Sequence, residues 1–124
     1  MTAAHVLLAA RLATGALATA QPQSGLRLLS YPHNTRNARA LVRLLGLRHL
    51  IQGTCEAGAD RDLLRAGACV DLLHAASALS FAQLSRPGRQ AGRRSAAVAV
   101  TFAACQLLLA NNRTAQIAQR TRRT

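Results

Sequence analysis

Four apolar stretches, each closed by a polar or Pro/Gly-bearing break, organise this chain. The first, AAHVLLAARLATGALATA at residues 3–20, predicts a helix that ends before QPQSG. Ala and Leu dominate it, and these are among the strongest helix formers. Residues 21–34 hold Pro22, Gly25 and Pro32 and are read as a helix-breaking connection. The second stretch predicts a helix over residues 35–53, with Thr35 as N-cap and Gly53 as its stop. Its Leu41, Leu44, Leu45, Leu47, Leu50 and Ile51 leave Arg36, Arg39 and Arg43 on another face, so its first half is amphipathic. In the acidic segment that follows, Asp60 suits the N-cap and Asp62 the first turn of a third helix, residues 61–84. SRPGRQAGRR is a break, and the fourth helix, residues 95–112, carries no charge from Ser95 to Asn112. No segment alternates like a strand, no repeat is visible, and no Gly-rich phosphate loop occurs. The expected fold is all-α: one domain over residues 1–112, a small antiparallel bundle of about four helices, with a basic polar tail at residues 113–124.

Composition turns this bundle toward a membrane. Half of the 124 residues are hydrophobic, but aromatics make up only 2% and Trp is absent. All 16 basic residues are Arg, against four acidic ones, for a net charge of +12. Such charge is neutralised by nucleic acid, by anionic lipid, or by placement in cytoplasmic loops. Arg86, Arg89, Arg93 and Arg94 lie between two apolar stretches, and Arg113, Arg120, Arg122 and Arg123 lie in the tail, which is the pattern of membrane topology. The scarcity of aromatics removes the stacking platform of single-strand binders and disfavours nucleic acid as a partner. The expectation is therefore a transmembrane, multi-pass protein of the cell membrane, with the lipid bilayer and a larger membrane protein as its partners. A mean hydropathy of only +0.10 and the lack of an aromatic belt beyond Tyr31 count against it.

If all four stretches span, the Arg-bearing first and third loops share the cytoplasmic side and the acidic second loop faces out. The Arg-rich tail then falls on the outer side, against the rule, and the short, basic second stretch is the one whose spanning is in question. The first stretch is read as a retained helix and not a secretory signal, because it has no basic leader and Arg11 interrupts it.

Two polar clusters sit inside the apolar stretches: Arg48, His49 and Gln52 on the second helix, Asp71 and His74 on the third. Ionisable groups in lipid or in a packed interface are costly without partners. Across a hairpin of these two helices, the axial offset between Arg48 and Asp71 is roughly 7 Å at 1.5 Å rise per residue, within reach of an Arg side chain. Gln52 shares a face with Arg48, whereas His49 points about 100° away. Two readings follow. One is a structural clamp that fixes helix register. The other is a ligand, proton or substrate site, since Asp beside His also suits proton handling. Cys55, Cys69 and Cys105 show no CxxC spacing and read as small buried apolar residues. His49 and His74 lack companions for a metal or haem, so no metal and no cofactor is expected. Ser77 and Ser80 lack the context of nucleophiles and read as packing residues. His5 reads as interfacial or core, and His33 as solvated.

The segments RLLGLRHLIQG and GACVDLLHAASALSFAQLS resemble small actinobacterial membrane proteins of about four helices, similar to the domain-of-unknown-function family 4267. In these, a pattern like RxLGxRHLxQ precedes one like GxxVDxxHAxSM. Arg43, Gly46, Arg48, His49 and Gln52 fit the first; Asp71, His74, Ala75 and Ser77 fit the second; Ala78 stands where Met is expected. The match covers roughly residues 36–110. The resemblance implies an integral membrane protein and brings no activity. The leading functional expectation is an accessory or scaffold subunit, more a non-enzyme than an enzyme, held together by the Arg/His/Gln–Asp/His clamp. The alternatives are a membrane enzyme or small-ligand or proton carrier using Asp71 and His74, and a soluble Arg-rich nucleic-acid binder.

Overall fold

The computed structural model describes residues 2–58 and 60–121, with side chains as far as residue 112. The described residues form five helices and no strand: α1 (Ala3–Ala20), α2 (Pro22–Leu28), α3 (Arg36–Glu56), α4 (Arg61–Leu84) and α5 (Arg89–Thr121).

Several boundaries depart from expectation for local reasons. The connection at residues 21–34 contains α2. Pro22 sits in its first turn, where a missing N–H costs nothing, so this proline starts a helix. Gly53 does not stop α3, which runs on to Glu56. A Cβ at Gly53 would lie 2.8 Å from Leu12 Cδ2, so the glycine is there to admit α1. The break before the last helix is confined to the turn between Leu84 and Arg89, where the Gly88 N–H donates to Ser85 Oγ at 3.2 Å. The helix expected at residue 95 therefore begins at Arg89. It also takes in most of the tail, its backbone continuing to Thr121, while residues 122–124 lie outside the described residues.

Thr35 and Asp60 cap α3 and α4 as expected, accepting from the Ala38 N–H at 3.1 Å and the Leu63 N–H at 2.9 Å. The end of α2 is a Schellman motif: the Ser30 N–H donates to Arg27 O at 2.9 Å and the Tyr31 N–H to Leu26 O at 2.9 Å. Tyr31 packs on Leu26, Ala38 and Val42, the apolar contact that accompanies this motif. Its left-handed residue is Ser30, at φ 56°, where glycine is the usual choice. Ser30→Gly is expected to raise stability by about 1 kcal/mol, read as an upward shift in the thermal midpoint of the purified protein. An unchanged or lower midpoint would mean that the turn carries no strain.

The helices pack as two antiparallel pairs, α1 on α3 and α4 on α5, with α2 lying against α1 and α3. The expected close hairpin of α3 with α4 is not the main contact; these two helices meet only sparsely. Both pairs are built on small residues. In α1 and α3, a Cβ at Gly15 would lie 2.8 Å from Gly46 O, and one at Gly46 would lie 2.8 Å from Gly15 O, so the backbones touch. In α4 the buried positions are Leu64, Ala68, Asp71, Ala75 and Ala82. In α5 they include Ala96, Ala99, Ala103, Gln106 and Ala110. Alternating spacings of three and four are those of a coiled-coil seam, here filled with alanine, which brings the helices close.

The large side chains lie on the outside. Among the described residues five large hydrophobics are buried (Leu7, Leu26, Val42, Leu64, Phe102), while eighteen are exposed, Leu73 and Leu84 at 69% and 89% among them. Apart from those five and Pro22, the buried residues are alanine, glycine and four polar residues: Arg11, His49, Asp71 and Gln106. The cysteines depart from expectation in the same direction. Cys55 and Cys69 are exposed and Cys105 is half-buried, because they fall on outward helix faces.

By length and composition, α1 and the Arg89–Asn112 part of α5 suffice to cross a membrane. The expectation of four such stretches thus reduces to two among the described residues. Arg36, Arg39, Arg43 and Arg48 lower the hydropathy of α3, and Arg65, Asp71 and His74 that of α4. The antiparallel order gathers the end of α2, the start of α3, the end of α4 and the start of α5 at one end of the bundle. That end carries Arg27, Arg36, Arg39, Arg86, Arg89, Arg93 and Arg94 and no acidic residue. Arg94 ties it together, its Nη1 donating to Leu28 O at 2.8 Å.

Candidate functional site

The buried polar residues converge where the two helix pairs meet, and all four long helices contribute. Asp71, fully buried on the α4 seam, is held from two sides. Arg11 Nη2 of α1 donates to Asp71 Oδ2 at 2.6 Å, and Arg48 Nη2 of α3 donates to Asp71 Oδ1. Arg11 also faces Glu56 at the end of α3, with Nε 3.3 Å from Oε2. Gln106 of α5 donates its Nε2 to the other Glu56 oxygen. Arg48 Nε donates to Gln52 Oε1 at 3.0 Å, and the Gln52 amide reaches across to Gly67 O on α4 at 3.5 Å. Two cations thus balance two anions in a fully connected group, which is the arrangement that makes buried charge tolerable.

Phe102 of α5 closes the floor of the cluster. The Arg11 guanidinium carbon stands 4.4 Å from its ring centroid, a cation–π contact, and the His49 ring lies 5.3 Å away, tilted by 45°. Gly67 makes room on α4: a Cβ there would collide with the Gln106 amide and lie 3.2 Å from Glu56 Oε1. Five buried polar atoms have no hydrogen-bond partner among the described residues: Arg11 Nε and Nη1, His49 Nδ1, Glu56 Oε2 and Gln106 Oε1, the contact of Arg11 Nε with Glu56 Oε2 being an ion pair alone.

Of the residues singled out in the sequence, the structure brings Arg48, Gln52 and Asp71 together and sets His49 against Phe102 beside them. His74 belongs elsewhere: its Nε2 lies 2.9 Å from Ser95 Oγ of α5, and no hydrogen bond joins it to Asp71. Arg11, Glu56, Gln106 and Phe102 are the members that the sequence reading did not single out. Ser77 and Ser80 donate to their own helix, to Leu73 O and Ala76 O, and make no other hydrogen bond among the described residues. His5 is exposed, its Nδ1 2.6 Å from the N-cap Thr2 Oγ1, and His33 is exposed beside Tyr31.

Above the polar layer, toward the arginine-rich end, α3 and α4 stand apart and leave a groove of about 590 Å³. Leu41, Leu44, Leu45 and Phe81 line its sides, Leu26 and Leu29 its back, and Arg48, His74 and Ser95 its inner end. A smaller cavity of about 170 Å³ between α1, α2, α3 and α5 shares His74 and Ser95 with it and adds His49. No group of three or more His, Cys, Asp or Glu able to hold a metal ion occurs among the described residues. No family model, curated protein or solved structure matches the chain.

Proposed function

We propose that this chain is a small integral membrane protein, a non-catalytic accessory or scaffold subunit whose leucine-rich exterior meets lipid and a larger membrane partner. The observation that carries the reading is the inverted distribution of side chains. Large apolar residues face out, and alanine, glycine and a charge-balanced polar cluster lie within. In water that exterior would be a liability, since soluble monomers rarely expose large contiguous apolar surface. In a bilayer it costs nothing, and small-residue interfaces with internal polar contacts are how helices there associate.

On this reading the polar cluster is a clamp. Arg11 and Arg48 reach from one helix pair to Asp71 on the other, and alanine seams are too shallow to fix the pairing by side-chain interlock. The arginine-rich end faces the cytoplasm under the positive-inside rule.

The test is fractionation. After an alkaline carbonate wash of cell membranes, the full chain is expected in the pellet, and mild detergent is expected to release it. Release by carbonate alone would sink the membrane reading and return the excess of arginine to the fore. A soluble nucleic-acid binder would further show a steep loss of DNA affinity with salt.

A further inference from the structure

We infer that the groove between α3 and α4 is a binding site for an uncharged single-chain amphiphile whose head is a carbonyl hydrogen-bond acceptor. Its volume, about 590 Å³, falls within the range of about 300–1,000 Å³ typical of small-molecule sites. Its lining is largely apolar; Tyr31, Thr35 and Asn37 lie toward the arginine-rich end and Ser77 on the wall. Arg48, His74 and Ser95 form the inner end, the one place where a charged donor meets that apolar lining, which suits an apolar chain whose polar terminus lies innermost.

Those polar groups present donors. Arg48 spends Nε on Gln52 and Nη2 on Asp71; its Nη1 has no partner among the described residues, and its side chain is 22% exposed. His74 and Ser95 share one hydrogen bond across the groove floor. When His74 Nε2 donates in it, the Ser95 hydroxyl hydrogen is free to turn toward the groove. Two donor-bearing side chains, Arg48 and Ser95, that line one end of a largely apolar slot suit a carbonyl oxygen, which has two lone pairs and no hydrogen of its own.

Charge decides against an anionic head. Arg11 and Arg48 are already matched by Asp71 and Glu56. A carboxylate at Arg48 would add an uncompensated negative charge beside Asp71 in apolar surroundings, whereas a carbonyl adds none. The chain would leave through the open side between α3 and α4, past the exposed Leu41, Leu44 and Phe81. Only this exit rests on the membrane reading; the donor set and the volume do not.

An acyl ester and a long-tailed quinone both carry such a carbonyl, and the experiment separates them. Full-length protein purified in a non-ionic detergent is titrated by native mass spectrometry with monopalmitoylglycerol, decyl-benzoquinone and palmitate. At least one neutral probe is expected to bind one to one and at least tenfold more tightly than palmitate. Whichever neutral probe binds more tightly names the source. Ser77→Trp places a bulky ring at an exposed position on the groove wall and is expected to cut that affinity more than tenfold with an unchanged thermal midpoint. Ser95→Ala is expected to cost about fivefold to tenfold. Absence of saturable binding by both neutral probes, equal binding of palmitate, or indifference to Ser77→Trp would each overturn the inference. Carbonate extraction fails or succeeds separately, so loss of the membrane reading and loss of this site are distinguishable.

Discussion

Asp71→Asn is expected to lower the thermal midpoint of the detergent-solubilised protein, followed by circular dichroism, by roughly 10 °C or more. The substitution keeps size and shape and removes one charge. Breaking a buried pair by neutralising one partner costs about 3–5 kcal/mol, because the other charge stays buried without compensation. Here the two cations on Asp71 are not equivalent. Arg11 is fully buried but has a second anion, Glu56, 3.3 Å away, and a ring beneath it. Among the described residues, Arg48 has only Asp71 as an anion. Without the carboxylate the excess charge therefore belongs to Arg48. Adding Arg48→Met to Asp71→Asn is expected to recover most of the loss, leaving Arg11, Glu56 and Gln106 as a neutral remnant. Adding Arg11→Met instead leaves Arg48 and Glu56 without ion-pair partners and is expected to recover nothing. Equal rescue by both second substitutions, or an Asp71→Asn protein as stable as wild type, would show that the cluster is not a clamp with this wiring.

The helices were legible because their signals are local. Thr35 and Asp60 are good N-caps, and the runs of Ala and Leu need no tertiary support to be read as helical. The pairing Arg48–Asp71 was also legible, since two ionisable groups in apolar surroundings have few alternatives to each other. Arg11 and Glu56 were not, and the reason is positional. Arg11 lies 60 residues from Asp71 in sequence, and nothing local tells which face of α1 is inward when both faces are apolar. Its spacing of four from Leu7 and Gly15, the buried face of α1, becomes meaningful only once Gly15 is known to touch Gly46. Glu56 sits among loop-like acidic residues, and only the continuation of α3 past Gly53 carries it into the interior. Gln106 had a visible signal, a polar residue in register with Ala99, Ala103 and Ala110, but a lone amide in an apolar helix also reads as tolerated. His74 shows the converse. Its spacing of three from Asp71 on one helix placed the two side by side, yet the neighbouring α5 offers Ser95 and draws the ring away.

Gly46→Leu is expected to be at least as disruptive as Asp71→Asn, by forcing α1 away from α3. Even Gly46→Ala tests the point, because two effects oppose each other there. Alanine in a helix interior gains about 1 kcal/mol over glycine from propensity alone. Against that, a Cβ at Gly46 would stand 2.8 Å from Gly15 O and 2.8 Å from Thr19 N, both backbone atoms that move only with the whole helix. Overpacking of this kind costs about 1–3 kcal/mol, so the net effect of Gly46→Ala is expected to be destabilising. Gly58→Ala is the control, since nothing lies within 4 Å of its added Cβ. A rise in midpoint for Gly46→Ala, tracking propensity, would mean that the α1–α3 contact is looser than described. The larger Gly46→Leu substitution also connects the two halves of the stability argument. Arg11 is delivered to Asp71 by the same helix that Gly46 admits, so displacing α1 withdraws Arg11 from the cluster. The costs of Gly46→Leu and Asp71→Asn should then fail to add, the double variant losing less than the sum of the singles. Strict additivity would show that α1 packing and the polar cluster are independent, and that Arg11 is held in place by Phe102 and Glu56 without help from the glycine contact.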